Sequence, residues 1–212
     1  MRLTYPDSPS AIRELAYRAL NLELVRFPHP EQESASPPHK ATDHVPSFHK
    51  VFLLPLRAVS AADLRAAKHT SWYDILVLSG IRVGIEVAMA KGKTGPSTYV
   101  FRGPDIDRQI AILTALAEDP AEHAGEVRIL RVPPVAPFSI WLHGRRRGQD
   151  RIVPVVATSR RLEIGRVYEP DDFFDAIRDA AARLAGNRNT KAGSRKPPAS
   201  RVPRKRGGKP AK

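Results

Sequence analysis

Proline placement decides where this chain can build regular structure, because each proline lacks an amide donor and fixes its own φ near −65°. Of the 20 prolines in 212 residues, Pro28, Pro30, Pro37, Pro38 and Pro46 fall within one short stretch that also carries His, Ser and Glu. Neither a helix nor a strand ladder survives that density, so residues 28–47 are expected to form a linker or mobile loop. They divide an N-terminal helical arm, residues 1–27, from a main domain over 48–186.

A second boundary is electrostatic. From Gly186 to Lys212 there are ten Lys or Arg and no acid, against a formal net charge of +13 for the whole chain, which leaves +3 for residues 1–185. Self-repulsion and the lack of apolar groups predict that residues 187–212 are a disordered cationic tail. An anionic partner is thereby indicated for the tail rather than for the domain.

Periodicity fills in the rest. Ser8 and Pro9 open a helix to about residue 22, with Ile12, Leu15, Ala16, Ala19 and Leu20 on one face. The run from Val51 to Leu54 reads as a strand, followed by a helix whose Ser60 and Asp63 have capping-box spacing. Strands are expected at 73–78 and 83–90, paired through Ser79-Gly80, and at 99–101. Pro104, Asp105 and Asp107 start a helix that stops before Pro120. Further strands are expected at 127–132, 138–142 and 152–157, with Pro154 marking an edge or bulge, and a weaker one at 162–168. Pro170 begins a final helix with Phe173, Phe174, Ile177, Ala181 and Leu184 inward and Gly186 as terminator. The fold class that follows is α+β: a mostly antiparallel or mixed sheet with three or four helices in a single domain.

The run LRVPPVAPFSIWLH from Leu130 to His143, the run RIVPV from Arg151 and the run YEPDDFF from Tyr168 together resemble a pattern in uncharacterised bacterial proteins. The resemblance covers residues 48–185. It implies a bacterial, cytoplasmic domain of unknown activity and transfers no functional residue.

Several chemistries are excluded or weakened. There is no cysteine, which removes disulfides, thiolate zinc sites, iron–sulfur clusters and cysteine nucleophiles. The N-terminus lacks the apolar stretch of a secretory signal and no apolar run reaches the ~18–20 residues of a membrane span, so a cytoplasmic protein without a membrane partner is expected. Gly92-Lys93-Thr94 ends like a P-loop, but Val87 stands where its first glycine belongs. Asp74 and Glu86 could face each other as nuclease-like metal ligands, but Ala88 replaces the accompanying lysine; they read as acids on the sheet surface. His29, His39, His44 and His49 lack metal-site spacing and read as solvated. No G-x-S-x-G elbow occurs, and Asp105 and Asp107 would repel a phosphate at the helix that Gly103-Pro104 begins. No metal and no cofactor is expected.

Two groups of residues remain as candidate sites. In the tail, Arg195, Lys196, Arg201, Arg204, Lys205, Arg206, Lys209 and Lys212 suit electrostatic binding of DNA or RNA. The segment from Pro203 to Pro210 resembles a minor-groove AT-hook, but Gly208 takes the place of its second arginine, which favours sequence-tolerant phosphate binding. In the hairpin from Phe138 to Ala157, Arg145, Arg146 and Arg147 form a loop that can hold an anion, with Trp141 as stacking surface and His143 as donor. The leading expectation is a non-enzymatic binding or accessory protein, whose folded domain takes an unknown protein or small-molecule partner. One alternative is an enzyme using His143, Arg145–Arg147 and Asp150. The other is a structural or assembly component that docks through the N-terminal helix.

Overall fold

The computed structural model describes residues 3–26, 49–59, 62–78, 81–90, 95–118, 125–146 and 148–193. Among the described residues, eight strands form one open mixed sheet accompanied by four helices, an α+β arrangement. The strands are β1 (Leu3–Thr4), β2 (His49–Leu53), β3 (Lys68–Leu78), β4 (Ile81–Ala88), β5 (Ser97–Phe101), β6 (Gly125–Val132), β7 (Ala136–His143) and β8 (Arg151–Val156). The helices are α1 (Ser10–Arg26), α2 (Leu56–Val59), α3 (Pro104–Glu118) and α4 (Pro170–Gly193). No described helix is long and apolar enough to cross a membrane.

The sheet order is β5-β4-β3-β2-β6-β7-β8, with β1 added beside β6. β2 to β5 pair antiparallel in succession, as do β6 to β8; the two sets are joined where β2 runs parallel to β6, with Lys50 beside Arg128 and Phe52 beside Leu130. β6 is central and apolar on both faces, with Val127, Ile129, Leu130 and Val132 fully buried. Alternation sends these side chains to opposite sides. Ile129 meets α3 through Val51, Tyr73 and Ile106, while Leu130 and Val132 meet Phe173, Phe174 and Ile177 of α4.

On the α4 face, α1 covers the other end of the sheet. Ala16 and Leu20 pack against Trp72, Leu76, Val83, Ile85 and Val87. The helix expected to stand apart as an arm therefore spends its apolar stripe inside this chain, as burial of that stripe demands.

Other expectations are corrected. The helix capped by Ser60 is replaced by the four-residue α2 and a 3₁₀ turn at Leu64–Ala66, where Asp63 is itself the N-cap and accepts from the Arg65 amide. The chain must extend again at Lys68 to enter β3, which leaves no length for a full helix. Only Tyr168 of the 162–168 segment pairs, bridging Ile152 on the outer edge of β8. α4 continues through Gly186 to Gly193, so residues 187–193 are helical rather than disordered; one glycine weakens a helix by about 1 kcal/mol and does not by itself end it. Pro154 lies in edge strand β8, opposite Ser139 and beside a register shift, as its missing donor requires. His29, His39 and His44, Ser79-Gly80, Gly92-Lys93-Thr94 and residues 194–212 lie outside the described residues.

His49 is not solvated. It begins β2 only 3% exposed, its ring 5.4 Å from that of Tyr5. Burial pulls its pKa down to about 4, against a weaker upward pull from a backbone hydrogen bond to Val127. The folded state thus holds the imidazole neutral, and the unfolded chain binds the extra proton below its ordinary pKa of 6.5. Stability from this residue is fully present above pH 6.5 and is lost as pH falls towards 4, about 3 kcal/mol in all. Denaturant unfolding across that range is expected to show this slope, and His49→Leu to flatten it; an unchanged slope contradicts the assignment.

Candidate functional site

The β2–β6 junction aligns four side chains from four strands in one row on the face that α1 and α4 share. Trp72 of β3 pairs with Lys50 of β2, Lys50 with Arg128 of β6, and Arg128 with Trp141 of β7. The Arg128 guanidinium lies 5.0 Å from the Phe52 ring and 5.1 Å from the Trp141 ring, and Lys50 Nζ lies 6.0 Å from Trp72. Cations so placed are attracted by the ring faces.

A chain of rings continues through the row. Centroids are 5.2 Å apart for His69 and Trp72, 5.4 Å for Phe52 and His69, 5.2 Å for Phe52 and Trp141, and 5.2 Å for Trp141 and His143. His69 reaches this face through a register shift between Val51 and Phe52, which sets His69 opposite Phe52. The two tryptophans are only 6% and 4% exposed. What meets solvent is the cationic heads and imidazole edges above them, with Lys50, Arg128, His69 and His143 all partly exposed.

Glu126 holds the cations in place, accepting from Arg128 Nε at 2.9 Å and Lys50 Nζ at 3.3 Å. Burial would raise its carboxyl, but the Arg128 hydrogen bond and the two positive charges outweigh that and set it below the usual carboxylate range. His69 is shifted down, first by burial and then by the charges of Lys50 and Arg128. Its Nε2 lies 3.0 Å from the Ser71 carbonyl, which can only accept, so Nε2 carries the proton of the neutral ring.

At the end of the row, His143 Nδ1 lies 2.9 Å from Asp150 Oδ1, which also accepts from the Gly144 amide at 3.0 Å. The carboxylate engages Nδ1 and so orients the ring through that nitrogen. Gly144 is required here, because a Cβ would fall 2.8 Å from the Gln149 carbonyl carbon. Arg145 and Arg146 follow, exposed, with no carboxylate in ion-pair reach among the described residues.

Of the hairpin residues singled out in the sequence, the structure brings Trp141, His143 and Asp150 together, with Arg145 and Arg146 at the loop; Trp141 and His143 lie on the face opposite Phe138, Ile140 and Leu142. Arg147 and the eight tail residues from Arg195 to Lys212 lie outside the described residues. Sequence reasoning missed Lys50, Phe52, His69, Trp72, Glu126 and Arg128. Glu126 and Arg128 left a signal, two charges alternating with the apolar Val127 and Ile129 in β6. Asp74 and Glu86 are not surface acids: both are buried, and their positions in β3 and β4 send them to opposite faces of the sheet. Among the described residues no three His, Asp or Glu side chains gather as a metal site.

Models of known protein families, curated proteins and solved structures give no match to this chain.

The charges around His69 are checkable by imidazole proton NMR. Lys50→Met removes a neighbouring positive charge and is expected to raise the His69 pKa towards its ordinary value; an unchanged or lower value would show that Lys50 does not act on the ring.

Proposed function

We propose that this is a non-enzymatic accessory protein of the bacterial cytoplasm that binds single-stranded nucleic acid. The observation that carries this reading is the cross-strand row of cations laid over aromatic rings, Trp72, Lys50, Arg128 and Trp141, ending at exposed Arg145 and Arg146. Single strands are bound by cationic grooves along the phosphates together with planar groups on which bases stack, and an arginine plane serves as well as a ring. Here Arg128, backed by Phe52 and Trp141, supplies such a plane. Lys50 and the loop arginines supply charge, and the cationic residues from Arg195 to Lys212 add sequence-tolerant phosphate neutralisation. The cysteine-free composition suits a reducing compartment.

The test is fluorescence anisotropy with a labelled single-stranded oligonucleotide across a salt series. The full chain is expected to bind with affinity that falls steeply with salt, and truncation after Gly193 to make the slope shallower while leaving weaker binding. Arg128→Ala is expected to remove about 1–3 kcal/mol of that remainder, and serine at positions 145–147 to weaken it further, with melting curves confirming folded variants. Salt-insensitive binding, or tighter binding to duplex than to single strand, contradicts the reading.

The bond between His143 and Asp150 favours a second reading, an enzyme in which His143 Nε2 takes a proton from an attacking group. Under the binding reading no hydrolysis of a fluorogenic oligonucleotide is expected, with or without divalent cations. Turnover that His143→Ala abolishes would establish the enzyme instead.

A further inference from the structure

The opposite face of the sheet carries a cleft of about 290 Å³ between α3, the end of β5 and the β7–β8 hairpin. Its walls include Tyr73, Phe101, Phe138 and Val155, and four charged or polar side chains line it, Arg102, Asp105, Gln109 and Arg131, of which Asp105 is paired with Arg108. It shares no residue with the cation and ring row.

The polar groups are wired in a definite way. Tyr73 Oη lies 3.0 Å from Gln109 Oε1. Burial raises the phenol well above its usual pKa, so it keeps its proton and donates it. That fixes the amide: reversing it would leave both the phenol proton and Gln109 Oε1 unsatisfied, so Gln109 Nε2 is the end left over. Gln109 is 2% exposed, and its Nε2 has no hydrogen-bond partner among the described residues. Gly84 makes the arrangement possible, because a Cβ there would fall 2.2 Å from Tyr73 Oη.

Arg131 is similar. Its Nη2 contacts Glu86 Oε2 at 2.6 Å, and Glu86 Oε1 accepts from Ser71 Oγ. Arg131 Nε is buried with no hydrogen-bond partner among the described residues. The guanidinium stands 6.0 Å from the Phe101 ring and 5.8 Å from the Phe138 ring. The wall of the cleft therefore holds two unpartnered N–H donors beside aromatic rings, a neutral one on Gln109 and one on Arg131, whose charge is already compensated by Glu86.

Buried donors call for acceptors. At Arg131 an anion would compete with Glu86 for the guanidinium, whereas a neutral oxygen or ring nitrogen takes the spare N–H groups without disturbing that ion pair. The volume is at the low end of the ~300–1,000 Å³ range of small-molecule sites, too small for a polymer segment. We infer that this cleft is a binding site for a small, uncharged, planar ligand, which places a carbonyl oxygen or ring nitrogen on Gln109 Nε2 and Arg131 Nε and its ring between Phe101 and Phe138.

Benzamide, benzoate and toluene, which share a ring and differ in polar group, are the probes. Titrated into the full chain under ¹H–¹⁵N NMR, benzamide is expected to give saturable shifts of the Gln109 side-chain amide and Arg131 Nε–H signals, and to bind more tightly than benzoate or toluene. Gln109→Met, of similar size but without the donor, is expected to weaken benzamide about tenfold. Phe101→Glu, at the 38% exposed mouth, is expected to weaken it without touching the core, so the test does not depend on one variant folding. No saturable shift of those signals, benzoate binding more tightly than benzamide, or unchanged affinity in a folded variant would overturn the assignment.

Discussion

Everything distinctive in this fold hangs on the parallel contact of β2 with β6. It joins two antiparallel sets, β2 to β5 and β6 to β8, which each close by short-range pairing and would otherwise be separate small sheets. Sealed by fully buried Val51, Ile129 and Leu130, the contact makes one continuous surface of two faces. A small isolated sheet with a single apolar face is marginal in water, whereas the joined sheet carries α3 on one side and α1 and α4 on the other.

Both candidate surfaces straddle that contact. On one face, Lys50, Phe52, His69 and Trp72 come from the first set and Arg128, Trp141 and His143 from the second. On the other, Tyr73, Glu86 and Phe101 come from the first set, Arg131, Phe138 and Val155 from the second, and Gln109 from the helix between them. Neither half holds a complete constellation. The two differ in electrostatic character: the row places positive heads at solvent over rings, while at the cleft Arg131 is matched by Glu86 and its Nε–H, with the Gln109 amide, is left to satisfy.

Most strands and the two long helices of the main domain were legible in the sequence because their signals are local. Proline and aspartate mark the starts of α3 and α4, and alternation or apolar runs mark β6, β7 and β8. The face on which Trp141 and His143 lie was legible for the same reason, since period-2 alternation within one strand needs no partner. What failed was tertiary. That β2 lies beside β6 is invisible to periodicity, so Lys50 and Arg128 could not be brought together; the shift at Val51 and Phe52 that re-aims His69 has no sequence mark. The burial of His49 was hidden by its neighbours, because the proline- and histidine-rich composition before it suggested water on all sides. Glu86 looked like a surface acid until Arg131 and Ser71, from distant parts of the chain, were placed against it.

The same contact orders events during folding. Strands β3 with β4, and β6 with β7, are neighbours along the chain and can meet early, whereas Lys50 and Glu126, at the join, stand 76 positions apart. Closing that long loop costs entropy before any contact compensates it, so the join belongs to the slow, late stage of assembly. A nascent or partly unfolded molecule then has its hairpins but neither the row nor the cleft. Recognition by either surface is thereby a report that the chain has finished folding, and a partner that engages both faces would select completed molecules over incomplete ones.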